Sequence, residues 1–386
     1  MSLLRVELLE SPSALLDHAP AWNDLWQRSE VTTPNTRAEG LHRWLAYFAA
    51  DRDFQAVTVW DDARMVAALP LVAGRWAKVF RTGRLPSNEW LGAGTLLFDE
   101  HADPTGLHLI AETLNRLGWD MYRFAHFRGA VSAWQTFREA LEQAGLIVEY
   151  RPMHSVTFID IDSSWADYQA TWSKNHRKKM TRAFKRLREL GSVEMLRVLP
   201  RTPAEVETAF LRAFQIEDAG WKGRAGTSVL RTVGMAKFLL ESAQLLLPRS
   251  ELEIAFLELN GEAIAYEILW NCRGVLHSYK VSYDERYAKC EPGGVLMHEL
   301  LRELCETKRC HGYDCIGPTS YATEKWHGSM YPVSQLTAAP RKLLSRAALR
   351  AYQRWWKPAA RPLEIVEATE SVAPFEPERQ LVSPKN

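Results

Sequence analysis

The sequence predicts a mixed α/β fold, an α+β mixed sheet, built as two tandem units of one plan. Three observations carry this expectation. Between Glu251 and Glu285, three apolar, β-favouring runs are separated by Asn260-Gly261 and Arg273-Gly274. Asn-Gly between such runs is a strong hairpin signal because both residues accept positive φ, so the segment reads as a three-stranded antiparallel meander. From Pro292 to Arg309, Leu296, Leu300 and Leu304 fall at helical spacing with Val295, Met297 and Leu301 beside them, the stripe of a helix packed on a sheet. Third, the order recurs. "DPTGLHLIAETLNRLGWDMYRF" (Asp103–Phe124) repeats the acidic-Pro-x-Gly start, the apolar-faced helix and the Gly-aromatic-Asp strand entry of "EPGGVLMHELLREL" and "GYDCI". Recurrence at one spacing is the mark of duplication.

The elements follow in order. "FQAVTVWDDARMVAALPLVAGRW" (Phe54–Trp76) reads as a hairpin turning at Asp61-Asp62, and Asp103–Phe124 as helix then strand. A boundary is expected near Tyr150 to His154, giving units 1–150 and 151–339. The second opens with a basic helix, 174–190. Lys174, Arg177, Lys178, Lys179, Arg182, Lys185, Arg186 and Arg188 place eight positive charges in fifteen residues, while Met180, Phe184 and Leu187 form one apolar stripe and Gly191 caps the end. Helices Pro203–Ala219 and Val229–Leu247 flank Trp221-Lys222-Gly223, read as a loop. After the meander and the Pro292 helix, Gly312–Gly317 reads as a short buried strand. A basic helix, 340–357, carries Trp355 and Trp356 near its end and is expected to pack on the second unit. From Pro358 the chain turns proline-rich and acidic, so 358–386 is expected to be disordered.

Composition narrows the function. The 386 residues are 46% hydrophobic and 25% charged, with a net charge of +1. Global charge therefore points to no nucleic-acid or membrane partner, and only local patches can. No signal peptide or spanning run is visible, so a cytoplasmic protein with no stable membrane insertion is expected. The five cysteines lie between Cys272 and Cys315 without the C-x2-C pair of a zinc site. They read as reduced thiols, and no metal is implied.

Two features carry chemistry. At the Pro292 helix, proline suits the first helical position. The amides of Gly293, Gly294 and Val295 should then point out of the helix end, where the macrodipole favours an anion and the missing side chains admit a diphosphate. The same glycines would also serve a simple turn. The 174–190 helix offers a polyanion contact or a solvated basic face.

The motifs "NHRKKMTRAFKRLRELG" (Asn175–Gly191), "WKG" (Trp221–Gly223), "YDERYAKCEPGGVL" (Tyr283–Leu296), "GYDCIG" and "EKW" (Glu324–Trp326) stand in an order that resembles the GNAT acetyltransferases. The likeness is nearest to the CelD, or cellulose-biosynthesis, type, relatives of the FemAB peptidyltransferases with two GNAT-like domains in tandem. Here Pro-Gly-Gly stands where the usual GNAT phosphate loop has Gln/Arg-x-x-Gly-x-Gly/Ala. The resemblance implies two tandem GNAT-like acyltransferase domains, the first non-catalytic. It implies transfer of an acyl group from acyl-CoA, acetyl-CoA above all, to an amine such as that of an amino sugar or polysaccharide precursor. In FemAB relatives the donor is an aminoacyl-tRNA, and a non-catalytic scaffold binding a partner or nucleic acid is the remaining alternative.

Direct attack of an amine on a thioester needs a base, carbonyl-facing donors and an acid for the leaving thiolate. Glu267, in the apolar strand "AYEIL", is the first choice of base, unless it faces solvent from an edge. Asp284 and Glu285 follow the meander and could orient the amine or cap the turn. Tyr283 or Tyr287 could protonate the thiolate or simply pack. Ser282, Gly293, Gly294 and Val295 form the expected cofactor contact. Trp221 and Lys222, with Glu217 and Asp218 before them, suit an acceptor-binding loop or a solvated one, and Lys325 and Trp326 invite the same two readings. Arg177 represents the basic helix among the substrate contacts.

Overall fold

A computed structural model of the chain describes residues 4–50, 52–320 and 323–355. The first half runs through β1 (Leu4–Leu9), α1 (Pro12–Asp17), α2 (Ala19–Gln27), α3 (Ala38–Phe48), β2 (Phe54–Asp61), β3 (Arg64–Trp76), β4 (Phe80–Arg84) and the short β5 (Leu97–Phe98). It continues through α4 (Thr105–Arg116), β6 (Met121–Arg128), α5 (Ser132–Gln143) and β7 (Ile147–Asp160). The second half holds α6 (Trp165–Thr171), α7 (Lys174–Leu190), β8 (Val193–Val198), α8 (Pro203–Ala219), the one-turn α9 (Trp221–Arg224) and α10 (Met235–Gln244). Then come β9 (Leu252–Leu259), β10 (Glu262–Cys272), β11 (Val275–Tyr283), α11 (Pro292–Thr307), β12 (Gly312–Asp314), β13 (Ser329–Ala339) and α12 (Leu343–Trp355).

Local chemistry accounts for the sharpest boundaries. At both meander turns the two central residues are left-handed, with φ of 53° and 81° at Asn260-Gly261 and 51° and 74° at Arg273-Gly274. That is the turn whose twist matches paired strands. α7 begins at Ser173, whose hydroxyl accepts from His176 N at 3.1 Å, and ends at Gly191. A Cβ on Gly191 would lie 2.0 Å from the Asn260 side chain, which accepts from Ser192 N at 2.9 Å and donates to Leu190 O at 3.2 Å. One asparagine thus closes a hairpin and caps the basic helix.

All strands join one 13-stranded sheet in the order β1-β2-β3-β4-β6-β13-β7-β12-β11-β10-β9-β8, with β5 on β3. The order reads alike from both ends. Each half has an antiparallel series (β1 to β4, β8 to β11), then one parallel pair (β4·β6, β11·β12), then an antiparallel neighbour. That last neighbour is exchanged, since β13 returns beside β6 while β7 lies beside β12. The two pair with each other from Ser329↔Phe158 to Ala339↔Ile147. The boundary expected at 150–154 therefore falls within a continuous strand. Helices cover both faces, and one apolar core joins α1–α3 of the first half to α8 and α10 of the second.

Three expectations change. Trp221-Lys222-Gly223 is not an open loop but the start of α9, and a Cβ on Gly223 would meet Asp218 O at 1.8 Å. The helix expected over Val229–Leu247 begins only at Met235, after a left-handed Gly234. α12 packs not on the second unit alone but on both, against Ala339 and Gln335 of β13 and against Trp76 and Met121 of the first half, because β13 carries the chain in beside β6. Trp356 and the tail 358–386 lie outside the described residues. Among the described residues, no helix is long and apolar enough to cross a membrane, and no group of three metal-ligating side chains converges.

Candidate active site

β11 and β12 pair at only three positions, Val275↔Gly312, Leu276↔Tyr313 and His277↔Asp314. Beyond them the strands part, and a cleft of about 910 Å³ opens between Ser278–Tyr283 and Cys315–Pro318. The β10·β11 register slips here: Ile268 faces Lys280 while Leu269 faces Ser278, leaving Tyr279 as the extra residue of a bulge. Bulges free a peptide from the ladder and re-aim side chains. The first half supplies the opposite wall through 87–96, with Trp90, and through His126, Arg128 and His154.

Glu267 lies at the inner end of this cleft. It sits in an interior strand, is 3% exposed, and accepts a hydrogen bond from the Tyr313 hydroxyl. Burial raises its pKa above the ordinary carboxyl value, against the opposing hydrogen bonds of Ser278 and Tyr313. This is the environment of a carboxyl tuned toward neutral pH.

At the start of α11, Pro292 has no N–H, and no side chain caps the helix. Val295 N donates to Glu291 O at 3.0 Å and its side chain is fully buried. Val295 is therefore part of the helix ladder, and the outward-facing pair is Gly293 and Gly294. Neither glycine has positive φ. A Cβ on Gly293 would meet only Tyr283 at 3.7 Å, and one on Gly294 only Glu291 and Met180 at 3.9 Å. The protein's own packing thus requires no glycine at either position; both leave room on the cleft side, where they line the wall. The donor set fits a diphosphate: two amides, a helix N-terminus and nearby cations. Beside it a second groove, about 340 Å³, is lined by Lys178, Lys179, Arg182, Arg186 and Lys289. Glu291 also borders it and pairs with Lys179 at 2.7 Å. In the first half, the equivalent start of α4 is occupied by its own carboxylate, since Asp103 Oδ1 accepts from Thr105 N at 2.8 Å.

His176, in the first turn of α7, lines the same cleft and is 4% exposed. Its ring stands edge-on to Trp172 and Trp326, at 4.7 and 4.8 Å between centroids. Neither ring nitrogen has a hydrogen-bond partner among the described residues. Burial, with Lys325 and Lys179 nearby, pushes its pKa down to about 4, so the imidazole is neutral near pH 7. Asp314 also borders the cleft, buried, accepting from Tyr331 at 2.9 and 3.0 Å and from Ile316 N at 2.9 Å.

The cleft brings together Glu267, Ser282, Tyr283, Gly293, Gly294, Lys325 and Trp326. Other expected residues lie elsewhere. Asp284 caps the 285–290 turn; although burial favours its neutral form, Arg286 holds its carboxyl below the usual range. Tyr287 is not in the wall. Glu217 is bound to Lys222 at 2.6 Å, Lys280 at 2.8 Å and Val229 N at 3.1 Å, and Asp218 to Ser228 and Arg231. Both acidic residues tie down the 217–231 segment. Trp221 is 58% exposed outside the cleft. Arg177 donates to the carbonyls of Gln169 and Ala170, each at 3.2 Å, closing the end of α6. Sequence reasoning missed His176, Tyr313 and Asp314, although "SKNHRKK" and "GYDCIG" held them in view. Their burial in the cleft, not their spacing, marks them.

Residues 174–325 match the family described as acetyltransferase (GNAT) domain. That span contains α7, the meander, α11 and β12. Among similar solved structures, FemX is 8% identical with a TM-score of 0.58, covering 90% of this chain and 99% of its own. A conserved protein of unknown function from Bacteroides thetaiotaomicron is 12% identical, TM-score 0.52, covering 86% of this chain and 100% of its own. The C-terminal domain of a protein described as a lysylphosphatidylglycerol synthetase, from Agrobacterium fabrum, is 12% identical, TM-score 0.50, with 88% and 96% covered. No curated protein sequence matches the chain. At such identities the structural likeness establishes fold alone. The chain has a mixed α/β fold of two alike halves in one sheet, and the match to the GNAT acetyltransferase domain falls on its second half.

Proposed function

We propose that the protein is an N-acyltransferase that moves an acyl group from acyl-CoA to an amine, its reacting centre lying between Glu267 and the start of α11. The observation that carries this reading is the pair of glycines that packing does not require, opening a helix N-terminus onto the cleft that holds Glu267. An acyl-CoA would supply there a thioester carbonyl already activated toward an amine. The Gly293 and Gly294 amides bind the diphosphate, and the basic groove beside them takes the remaining phosphate charge. Ionised Glu267 accepts the proton of the amine nitrogen as the N–C bond forms and the C–S bond breaks, with Tyr313 holding the carboxylate in place. His176 offers a neutral N–H to a ligand oxygen in the same wall, a role that a lowered pKa suits. Tyr283, lining the cleft beside Gly293, returns a proton to the departing sulfur. Aromatic rings (Trp90, Trp270, Tyr279) with Glu267 and Asp314 suit an amine on a ring, such as an amino sugar of a polysaccharide precursor.

A second reading, aminoacyl transfer from tRNA, is favoured by the basic groove, which adjoins the cleft through Lys179 and Glu291. The discriminating experiment is a thermal-shift panel of free CoA, acetyl-CoA and deacylated tRNA on wild type and Gly294→Val. The CoA reading expects a shift with CoA that the valine removes; a shift retained by the variant would sink the cradle. The tRNA reading expects a steep salt dependence that weakens when Lys178 and Arg182 are neutralised. Silence toward all three ligands would leave a binding scaffold.

A further inference from the structure

A second chamber, about 250 Å³, adjoins the cleft on the α8–α10 side of the sheet, and the two share Asn35, Leu91, Trp270 and Tyr279 in their walls. Its other walls are mostly apolar, with Phe210 of α8 and Leu239, Ala243 and Leu246 at α10 and just beyond. Ser242 and Gln244 are the uncharged polar members, and Ser242 Oγ, like Asn35 Oδ1 in the shared wall, has no hydrogen-bond partner among the described residues. The charges around it are engaged or outside. Arg37 is held by Glu251 at 2.5 and 2.6 Å, Glu39 accepts from Asn23 at 2.9 and 3.0 Å, and Arg249 is exposed at the outer end. The chamber opens to solvent at Gln244, Pro248 and Arg249, which are exposed, and runs inward to the buried Phe210, Leu239, Leu246 and Trp270. Trp270 and Tyr279 stack at 4.2 Å between the chamber and the cleft, and Tyr279 is the bulge residue next to Ser278, which lines the cleft together with Glu267. Glu267 belongs to the α7–α11 face of the sheet and Trp270 to the α8–α10 face, so a chain bonded at the reacting centre reaches the chamber through the gap where β11 and β12 part, which the cleft lines from both sides.

We propose that this chamber receives an unbranched aliphatic chain carried by one of the two substrates, either the acyl chain of the donor or the alkyl part of the acceptor amine. The proposal rests on the acyl-transfer reading and names its substrate class. At about 30 Å³ for each water-sized group, 250 Å³ holds on the order of eight such groups, so an octyl chain is the matching probe.

The test compares, by thermal shift and titration, free CoA, acetyl-CoA and octanoyl-CoA as donors, and ethylamine and octylamine as acceptors. It uses wild type, Ala243→Phe and Ser242→Leu. Both variants add apolar volume to the chamber, and neither touches α11, so free CoA serves as the control for folding. In one series the octyl member should bind at least about tenfold tighter than its two-carbon counterpart, and both variants should reduce that ratio toward one. The series that responds identifies the source of the chain. If Ala243→Phe fails to fold, Ser242→Leu carries the comparison. The proposal is overturned if neither series depends on chain length, or if the preference survives both variants. Failure of free CoA to bind wild type, with an octylamine preference that the variants abolish, would remove the CoA reading and leave the chamber standing.

Discussion

Glu267 and His176 have opposite electrostatic fates in one cleft, and each fate has a pH signature. Burial raises the Glu267 carboxyl, so the acid limb of the rate-versus-pH profile should lie above the ordinary glutamate value of about 4.3. Glu267→Gln should cost roughly 10²–10⁴ in rate and abolish that limb; an unchanged profile would exclude it as base. Stability runs the other way. A raised carboxyl binds its proton more readily in the folded state, so it costs stability as pH rises from the unfolded pKa through the folded one. The melting temperature of Glu267→Gln relative to wild type should therefore climb as pH rises above the unfolded value of about 4.3. His176 is depressed to about 4, so the unfolded chain takes up its proton first. Wild type should lose stability from about pH 6.5 down to 4, and His176→Gln should flatten that part of the curve.

At the scale of elements, α11 trades stability for an opening. With helical φ and open space at Gly293, Gly293→Ala should stabilise the free protein by about 0.4–1 kcal/mol through the unfolded state while weakening CoA binding. Urea unfolding and a CoA titration on one preparation measure both, and a variant that gains stability without losing affinity would contradict the cradle. The helix, its apolar stripe and its glycines were legible in the sequence, as were the meander and the basic helix, because turn residues and periodicity are local signals. Which amides face outward was not. Val295 was expected among them and is taken into the ladder, since only the conformation of Glu291 and Pro292 decides where that ladder begins. Asp284 and Glu217 likewise read as site acids, yet Arg286, two residues on in the chain, holds the first, and Lys222 with the distant Lys280 holds the second.

For the whole molecule, the exchange of β13 and β7 makes the halves mutually dependent. Deleting 329–355 removes the strand between β6 and β7 and should abolish cooperative folding of both halves; a calorimetric transition surviving in that truncation would show independent units. Across the same junction, Arg37 and Glu251 form a buried pair, and Arg37→Ala should cost roughly 3–5 kcal/mol in urea unfolding because it strands a buried carboxylate. By itself the sequence determined the duplication, the element types of the second half and the glycine-marked helix start, all written in local periodicity and turn chemistry. Only the tertiary structure decided that β11 and β12 part beside Glu267, that the second half's last strand crosses into the first, and that His176, Tyr313 and Asp314 meet in one cleft. Strand pairing and burial join residues more than a hundred positions apart, and no local pattern records which of them will share a wall.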